Sequence, residues 1–174
     1  RVGYRRPPFS RLALCEAALS TSGAADAAGR EEQNSQDRIG FLEYGGAMRV
    51  IVVSDAHLVD LADPNQHKMV HWLEALIGAG LDELILLGDI FHHWWGFPGV
   101  VATDYVPICA ALLRVKAAGI RIRFIPGNHD FAAGEFFEQT LGAELSGPLG
   151  LTLAGHRFYL AHGDEADASR SYWL

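Results

Sequence analysis

The sequence of 174 residues predicts an α/β fold with a largely parallel sheet, and three observations carry that expectation. Short apolar, often β-branched runs alternate with segments whose apolar residues recur at helical spacing. Glycine or proline marks nearly every junction between the two. The composition, 49% apolar and 20% charged, is that of a globular domain, and the length suits one domain.

The elements follow in order. Arg49 to Val53 is β-branched and reads as the first strong strand. Asp63-Pro64 then opens a segment in which Met69, Val70, Trp72, Leu73, Leu76 and Ile77 fall at helical spacing, closed by Gly78 and Gly80. Glu83 to Leu87 is a second strand, ending in Gly88-Asp89. After a Trp-rich loop, Thr103 is expected to cap a helix bearing Tyr105, Ile108, Cys109 and Leu112 that stops at Gly119. Ile120 to Ile125 is the third strand. Leu151 to Leu153 and Phe158 to Leu160 flank Gly155-His156, the expected hairpin turn and a source of antiparallel pairing.

The formal net charge of −7 opposes a nucleic-acid surface, which is usually basic, whereas an acidic protein can hold phosphate through bound cations. Residues 1–47 carry six Arg and six acids, so the imbalance belongs to residues 48–174, with eight Lys plus Arg and fifteen acids. Cys15 and Cys109 are 94 positions apart with no CxxC spacing, which points to a reducing, cytoplasmic setting. No apolar run approaches the ~20 residues of a membrane-spanning helix, so no bilayer crossing is expected.

Residues 1–47 show no sustained period of 3.6 or 2 and are expected to lie outside the core, as a disordered or non-native extension. Arg-rich ends before Leu12, Ala13 and Leu14 suggest a targeting segment, but Glu16 breaks the apolar run early. Met48 immediately precedes the first strong strand and is the expected natural start, with the domain occupying 48–174.

Function is read from where the polar residues fall. The first strand runs into Ser54-Asp55-Ala56-His57, the second into Gly88-Asp89, the third into Gly127-Asn128-His129-Asp130, and the last into His162-Gly163-Asp164. In open α/β sheets the carboxyl ends of the strands gather at one edge, so Asp55, His57, Asp89, Asn128 and His162 are expected in one crevice. Carboxylates, an amide and imidazoles without a thiolate suit Mn²⁺, Mg²⁺, Fe²⁺ or Zn²⁺. One carboxylate between two ions makes a two-metal centre fitted to in-line displacement at phosphorus, and Asp89 is the natural bridge. Each cluster alone has a plain explanation as turn chemistry; their coincidence at four strand ends argues for a site. His67, His71 and His156 are assigned to the surface, while His92 and His93, just after Asp89, are placed within reach of substrate.

At these residues the chain resembles the calcineurin-like metallophosphoesterases, whose pattern is Asp-x-His, Gly-Asp, Gly-Asn-His-Asp/Glu, a further His and a final Gly-His-x-His. Asp55-x-His57, Gly88-Asp89, Gly127-Asn128-His129-Asp130 and His162 match the first four blocks. Between the blocks, Leu87-Gly88-Asp89-Ile90-Phe91, Trp94-Trp95-Gly96 and Gly127 through Phe131 are similar to the UDP-2,3-diacylglucosamine diphosphatases of lipid A biosynthesis.

The resemblance implies a metallophosphoesterase-type αββα sandwich, incomplete at the C-terminus within these 174 residues, because no Gly-His-x-His follows His162 and the helical insertion of the branch is missing. It implies two divalent ions, Mn²⁺ foremost. Asp55, His57 and Asp89 would hold one with a late His, and Asp89, Asn128 and His162 the other with a second late His. Asn128 and His129 take catalytic roles, and Asn128, His129, His92 and Trp94 face substrate. The reaction implied releases UMP and 2,3-diacylglucosamine 1-phosphate from a lipid-linked nucleotide sugar, at the inner face of the inner membrane and without a nucleic-acid partner. His129 stands where the best-known members of the branch carry Arg, which bears on the exact substrate more than on the reaction type. Two other readings are a general phosphoesterase acting on phosphoprotein, nucleotide or phosphodiester, and an inactive truncated phosphate-binding module. Oligomeric state is left open.

Overall fold

The structure, a computed structural model, describes residues 41–44 and 48–164. Residues 1–40, 45–47 and 165–174 lie outside the described residues.

Among the described residues, seven strands form two sheets. Strands β2 (Val50–Val53), β3 (Glu83–Leu87), β4 (Arg121–Ile125) and β5 (Glu144–Leu145) pair in that order, all parallel. Strand β1 (Phe41–Tyr44) pairs in parallel with β6 (Leu149–Leu153), and β6 pairs antiparallel with β7 (His156–Leu160). A paired strand therefore stands upstream of Met48, which differs from the expectation that everything before that residue lies outside the domain.

Two helices complete the described layers. Helix α1 (Pro64–Ile77) starts where the sequence signals it: Asp63 accepts the Asn65 N–H at 2.8 Å, Pro64 occupies the first turn, and Gly78 caps the end. Its Met69, Leu73 and Leu76 recur on one face and are buried. Helix α2 (Val106–Ala117) begins later than expected. Thr103 opens a 3₁₀ turn (Thr103–Tyr105) and makes no cap, because the helix continues from that turn and has no side-chain cap of its own. Ile108, Ala111, Leu112 and Val115 form its buried face.

Strands β2, β3 and β4 are buried on both faces, which explains why they read as largely continuous apolar runs. One face, with Ile51, Val53, Leu84, Leu86, Ile122 and Phe124, packs on the helices. The other presents Val50, Val52, Ile85 and Ile125 to Leu149, Leu151 and Leu153 of the second sheet. Helix, sheet and sheet are the layers among the described residues, three of the four expected in an αββα sandwich. A short π-helical turn (Phe136–Thr140), absent from the sequence reading, places Phe137 flat on Phe124 with ring centroids 4.1 Å apart.

The β6–β7 turn falls one residue earlier than expected. Leu153 pairs with His156, so Ala154 and Gly155 form the loop, both at positive φ (51° and 79°), as a two-residue type I′ hairpin requires. His156 is thus a strand residue. This hairpin also corrects the reason for convergence: His162 follows a strand of the second sheet, and the packing of one sheet on the other brings it to the ends of β2, β3 and β4.

Candidate metal centre

Three loops leave the carboxyl ends of β2, β3 and β4 and stay zipped together beyond the sheet. The N–H groups of Asp55, His57 and Leu58 donate to the carbonyls of Gly88, Asp89 and Ile90 at 2.9–3.1 Å. Trp94 N–H donates to the His129 carbonyl at 2.9 Å, and Phe131 N–H returns a bond to the Trp94 carbonyl at 2.8 Å. Asp55, His57 and Asp89 all adopt positive φ (54°, 44° and 55°), a sparsely populated region for residues with a Cβ. Such backbone persists when surrounding bonds over-determine it, and these loops supply them.

The side chains meet around Asp89. Its carboxylate accepts the His129 N–H on Oδ1 at 2.9 Å, while Oδ2 stands 3.7 Å from His57 Nε2 and 3.3 Å from His162 Nε2. His57 Nε2 lies 4.0 Å from Asp55 Oδ1, and His162 Nε2 lies 3.3 Å from Asn128 Oδ1. The structure thus brings together all five residues expected as ligands. Asp89 and His162 are buried at the base, with side chains 4% and 6% exposed; Asp55 and His57, at 43% and 40%, form the mouth.

Glycines make the base possible. A Cβ on Gly127 would stand 2.8 Å from His162 Nε2 and also strike Asp89 Oδ1, and one on Gly88 would meet the His162 ring and, at 2.8 Å, the Gly127 backbone. His162 Nδ1 lies 3.2 Å from the Leu87 carbonyl and donates to it, which leaves Nε2 with its lone pair toward Asp89 and Asn128. Burial alone would lower the His162 pKa; the Leu87 carbonyl and the carboxylates of Asp89, Asp55 and Asp164 outweigh it and raise it.

Asp130, the last residue of the Gly127-Asn128-His129-Asp130 block, organises the site. Its Oδ2 accepts the Asp89 N–H at 2.9 Å and the Gly127 N–H at 3.0 Å, tying two loops to one buried carboxylate. Burial pushes its pKa up to about 6 against the pull of those two N–H donors. The role is hidden in sequence because an Asp after Asn-His is equally ordinary turn chemistry.

Among the residues expected to face substrate, Asn128 stands beside His162, His129 stands beside Asp89, and His92 is exposed at the rim. Trp94 does not face it. Its ring is 4% exposed among Phe91, Tyr105 and Phe137, with its indole N–H on the Ala133 carbonyl at 3.0 Å, because a hydrophobic indole with its one donor satisfied belongs in the core. Its neighbour Trp95 is the exposed one, stacked on Phe131 at 4.3 Å. His93 lies flat over His129, centroids 5.2 Å apart, and lost hydration followed by the neighbouring imidazoles lowers its pKa.

Among the described residues, two groups have ligand atoms within 4.8 Å of one another: Asp55, Asp89 and His162, and His57, His92 and His129. The first mixes carboxylate oxygen with imidazole nitrogen, a donor set that fits divalent first-row cations. The profile of the calcineurin-like phosphoesterases matches residues 48–172. The chain belongs to that family. Members similar to it include the UDP-2,3-diacylglucosamine hydrolases of Nitrosococcus oceani (34% identical over 118 residues), Porphyromonas gingivalis (33% over 132) and Xanthomonas oryzae (33% over 118). These alignments cover 67%, 71% and 67% of this chain and 46%, 50% and 47% of the relatives. The chain spans about half the length of these family members.

Proposed function

We propose that this chain carries the metal-binding half of a phosphohydrolase that cleaves the pyrophosphate of UDP-2,3-diacylglucosamine to UMP and 2,3-diacylglucosamine 1-phosphate. The observation that carries the reading is the position of Asp89 Oδ2 between His57 Nε2 and His162 Nε2, at 3.7 and 3.3 Å, where one carboxylate serves two ligand groups. The names of the similar relatives support the substrate.

Asp55, His57 and Asp89 would hold one cation and Asp89, Asn128 and His162 the other, with Mn²⁺ the expected metal. Bound divalent cations supply Lewis acidity toward a phosphoryl group and lower the pKa of water. The chain's own residues do the rest. Asp89 is fixed by the His129 N–H, so its carboxylate needs no reorganisation when the site fills. With its Nδ1 hydrogen donated to the His92 carbonyl, His129 would act as imidazolium, its Nε2–H neutralising developing charge or protonating the departing group. No helix among the described residues is long and apolar enough to cross a membrane, and a peripheral position at the inner face of the inner membrane suits a lipid-linked substrate.

The test is UMP release from UDP-2,3-diacylglucosamine with Mn²⁺, using a chain extended past Leu174, beside bis-p-nitrophenyl phosphate as a general phosphodiester. UMP release that falls roughly 10²–10⁴-fold in His129→Ala, with Mn²⁺ still bound, is the expected result. Hydrolysis of the general ester alone would replace the lipid reading with the broader phosphoesterase one.

A further inference from the structure

Beside the metal mouth the chain exposes a run of apolar residues. From Trp94 to Ala102 no side chain carries a charge, and the two indoles hold the only polar side-chain groups. Trp95, Phe97 and Val100 in that run, with Phe131 from the loop after β4, are 47–60% exposed. Trp95 stacks on Phe131 and on Phe97, with ring centroids 4.3 and 6.3 Å apart and both pairs within 9° of parallel. Trp95 and Phe131 each lie 6.2 Å from His93, whose ring covers His129, so this ledge begins at the rim of the cleft. Beyond Phe97 it continues as a groove of about 350 Å³ lined by Val100, Val106, Leu113 and Phe136. The backbone beneath is fixed. Gly99 N–H donates to Glu135 at 2.9 Å, the Trp94 ring is anchored in the core, and a Cβ on Gly134 would strike the Gly96 backbone.

We propose that the ledge of Trp95, Phe97, Val100 and Phe131 is a docking face that seats in the interfacial layer of a lipid bilayer. The choice of partner rests on the lipid-linked substrate proposed above. Trp and Phe rings settle at membrane–water interfaces, and a contiguous exposed apolar face beside a cleft marks a protein or a membrane contact. Charge decides between the two. Residues 90–113 and 126–148, which build the ledge and the groove, contain no Lys or Arg and carry Asp104, Glu135 and Glu138. Two copies meeting through this face would set those carboxylates against each other, and an anionic partner would be repelled. An apolar layer without net charge meets neither cost. Docking is therefore driven by insertion of the rings, with no help from basic residues. Seated this way, the chain meets a lipid-linked substrate at the surface that holds it, and the apolar part of that substrate never crosses water.

The test is flotation of the full chain, without substrate, on vesicles of phosphatidylcholine and on vesicles of phosphatidylcholine mixed with phosphatidylglycerol. The parent should float with phosphatidylcholine at a level that salt does not reduce. It should float less with the mixed vesicles, because a chain of net charge −7 is repelled by anionic lipid. Phe97→Asp combined with Val100→Asp should lower partitioning at least about 10-fold. Tyr159→Ser, which removes an exposed aromatic from β7 of the second sheet, should float as the parent does. Circular dichroism checks each fold, and Phe97→Ser serves if the double variant unfolds. Parent-like flotation of a folded ledge variant would overturn the proposal, as would a parent that never floats or floats only with phosphatidylglycerol. Self-association of the parent that the double variant loses, with no flotation of either, would assign the ledge to a second copy instead. UMP release in detergent micelles, from a chain extended past Leu174, reads the reaction separately: hydrolysis without flotation refutes the docking face alone.

Discussion

His129 donates its backbone N–H to Asp89 Oδ1 at 2.9 Å, so the loop after β4 fixes the carboxylate supplied by the loop after β3. The two residues are 40 positions apart, and the bond makes the site a property of the packed sheet rather than of either motif.

Asp89→Ala should therefore remove the proposed shared ligand and its anchor together. In a chain extended past Leu174, turnover should fall to background and Mn²⁺ affinity at least about 10-fold. Asp89→Asn keeps an Oδ1 acceptor for His129, so it should match the parent's melting temperature while still losing metal. Calorimetric Mn²⁺ titration and thermal melts read the two effects separately.

Gly127→Ala tests the tight base of the site. The new methyl would stand 2.8 Å from His162 Nε2 with Asp89 closer still, so both side chains must shift. The overpacking should cost about 1–3 kcal/mol of stability and weaken Mn²⁺ binding, by urea unfolding and metal titration.

Glu83 tests the opposite end of the sheet. Its side chain, 1% exposed, pairs with Arg123 at 3.0 Å and Arg121 at 3.5 Å, and Arg123 also reaches Glu144 at 2.5 Å. Glu83→Ala leaves the buried Arg123 without its buried counter-charge and should cost about 3–5 kcal/mol in urea unfolding, with no direct effect on Mn²⁺ affinity.

Cys109 gives a pH prediction. Burial on the core face of α2 pushes its thiol up to about 12, well above that of an unfolded cysteine. The folded chain holds this proton more tightly than the unfolded chain. Its contribution is thus fully present below the unfolded pKa of ~8.5 and is lost as pH rises toward about 12, at up to ~1.4 kcal/mol per pH unit. Cys109→Ala should flatten that alkaline slope in urea melts, and native Cys109 should resist thiol reagents at pH 8.

Much of this was legible in the sequence because the physics is local. Asp63-Pro64 and Gly78 bound α1 through caps that need only neighbouring residues. The five expected ligands meet because each follows a strand whose end position is fixed by packing. What the sequence hid depends on partners far along the chain. Trp94 and Trp95 are adjacent and chemically identical, and what distinguishes Trp94 is distant in sequence: Tyr105 and Phe137 against its ring and the Ala133 carbonyl on its indole N–H. Asp130 shows its role only once Asp89 and Gly127 stand beside it. Strand β5 is two residues long, below what periodicity can register.

The left-handed backbone at Asp55, His57 and Asp89 has a consequence for how such a chain changes under selection. Each of the three carries a Cβ in a conformation costing on the order of 1–3 kcal/mol, which glycine would adopt freely. Selection for thermal robustness alone favours glycine at these three places and erases the ligands as it succeeds. Asp, His and Asp at these three places put the chain below the stability that glycine there would allow.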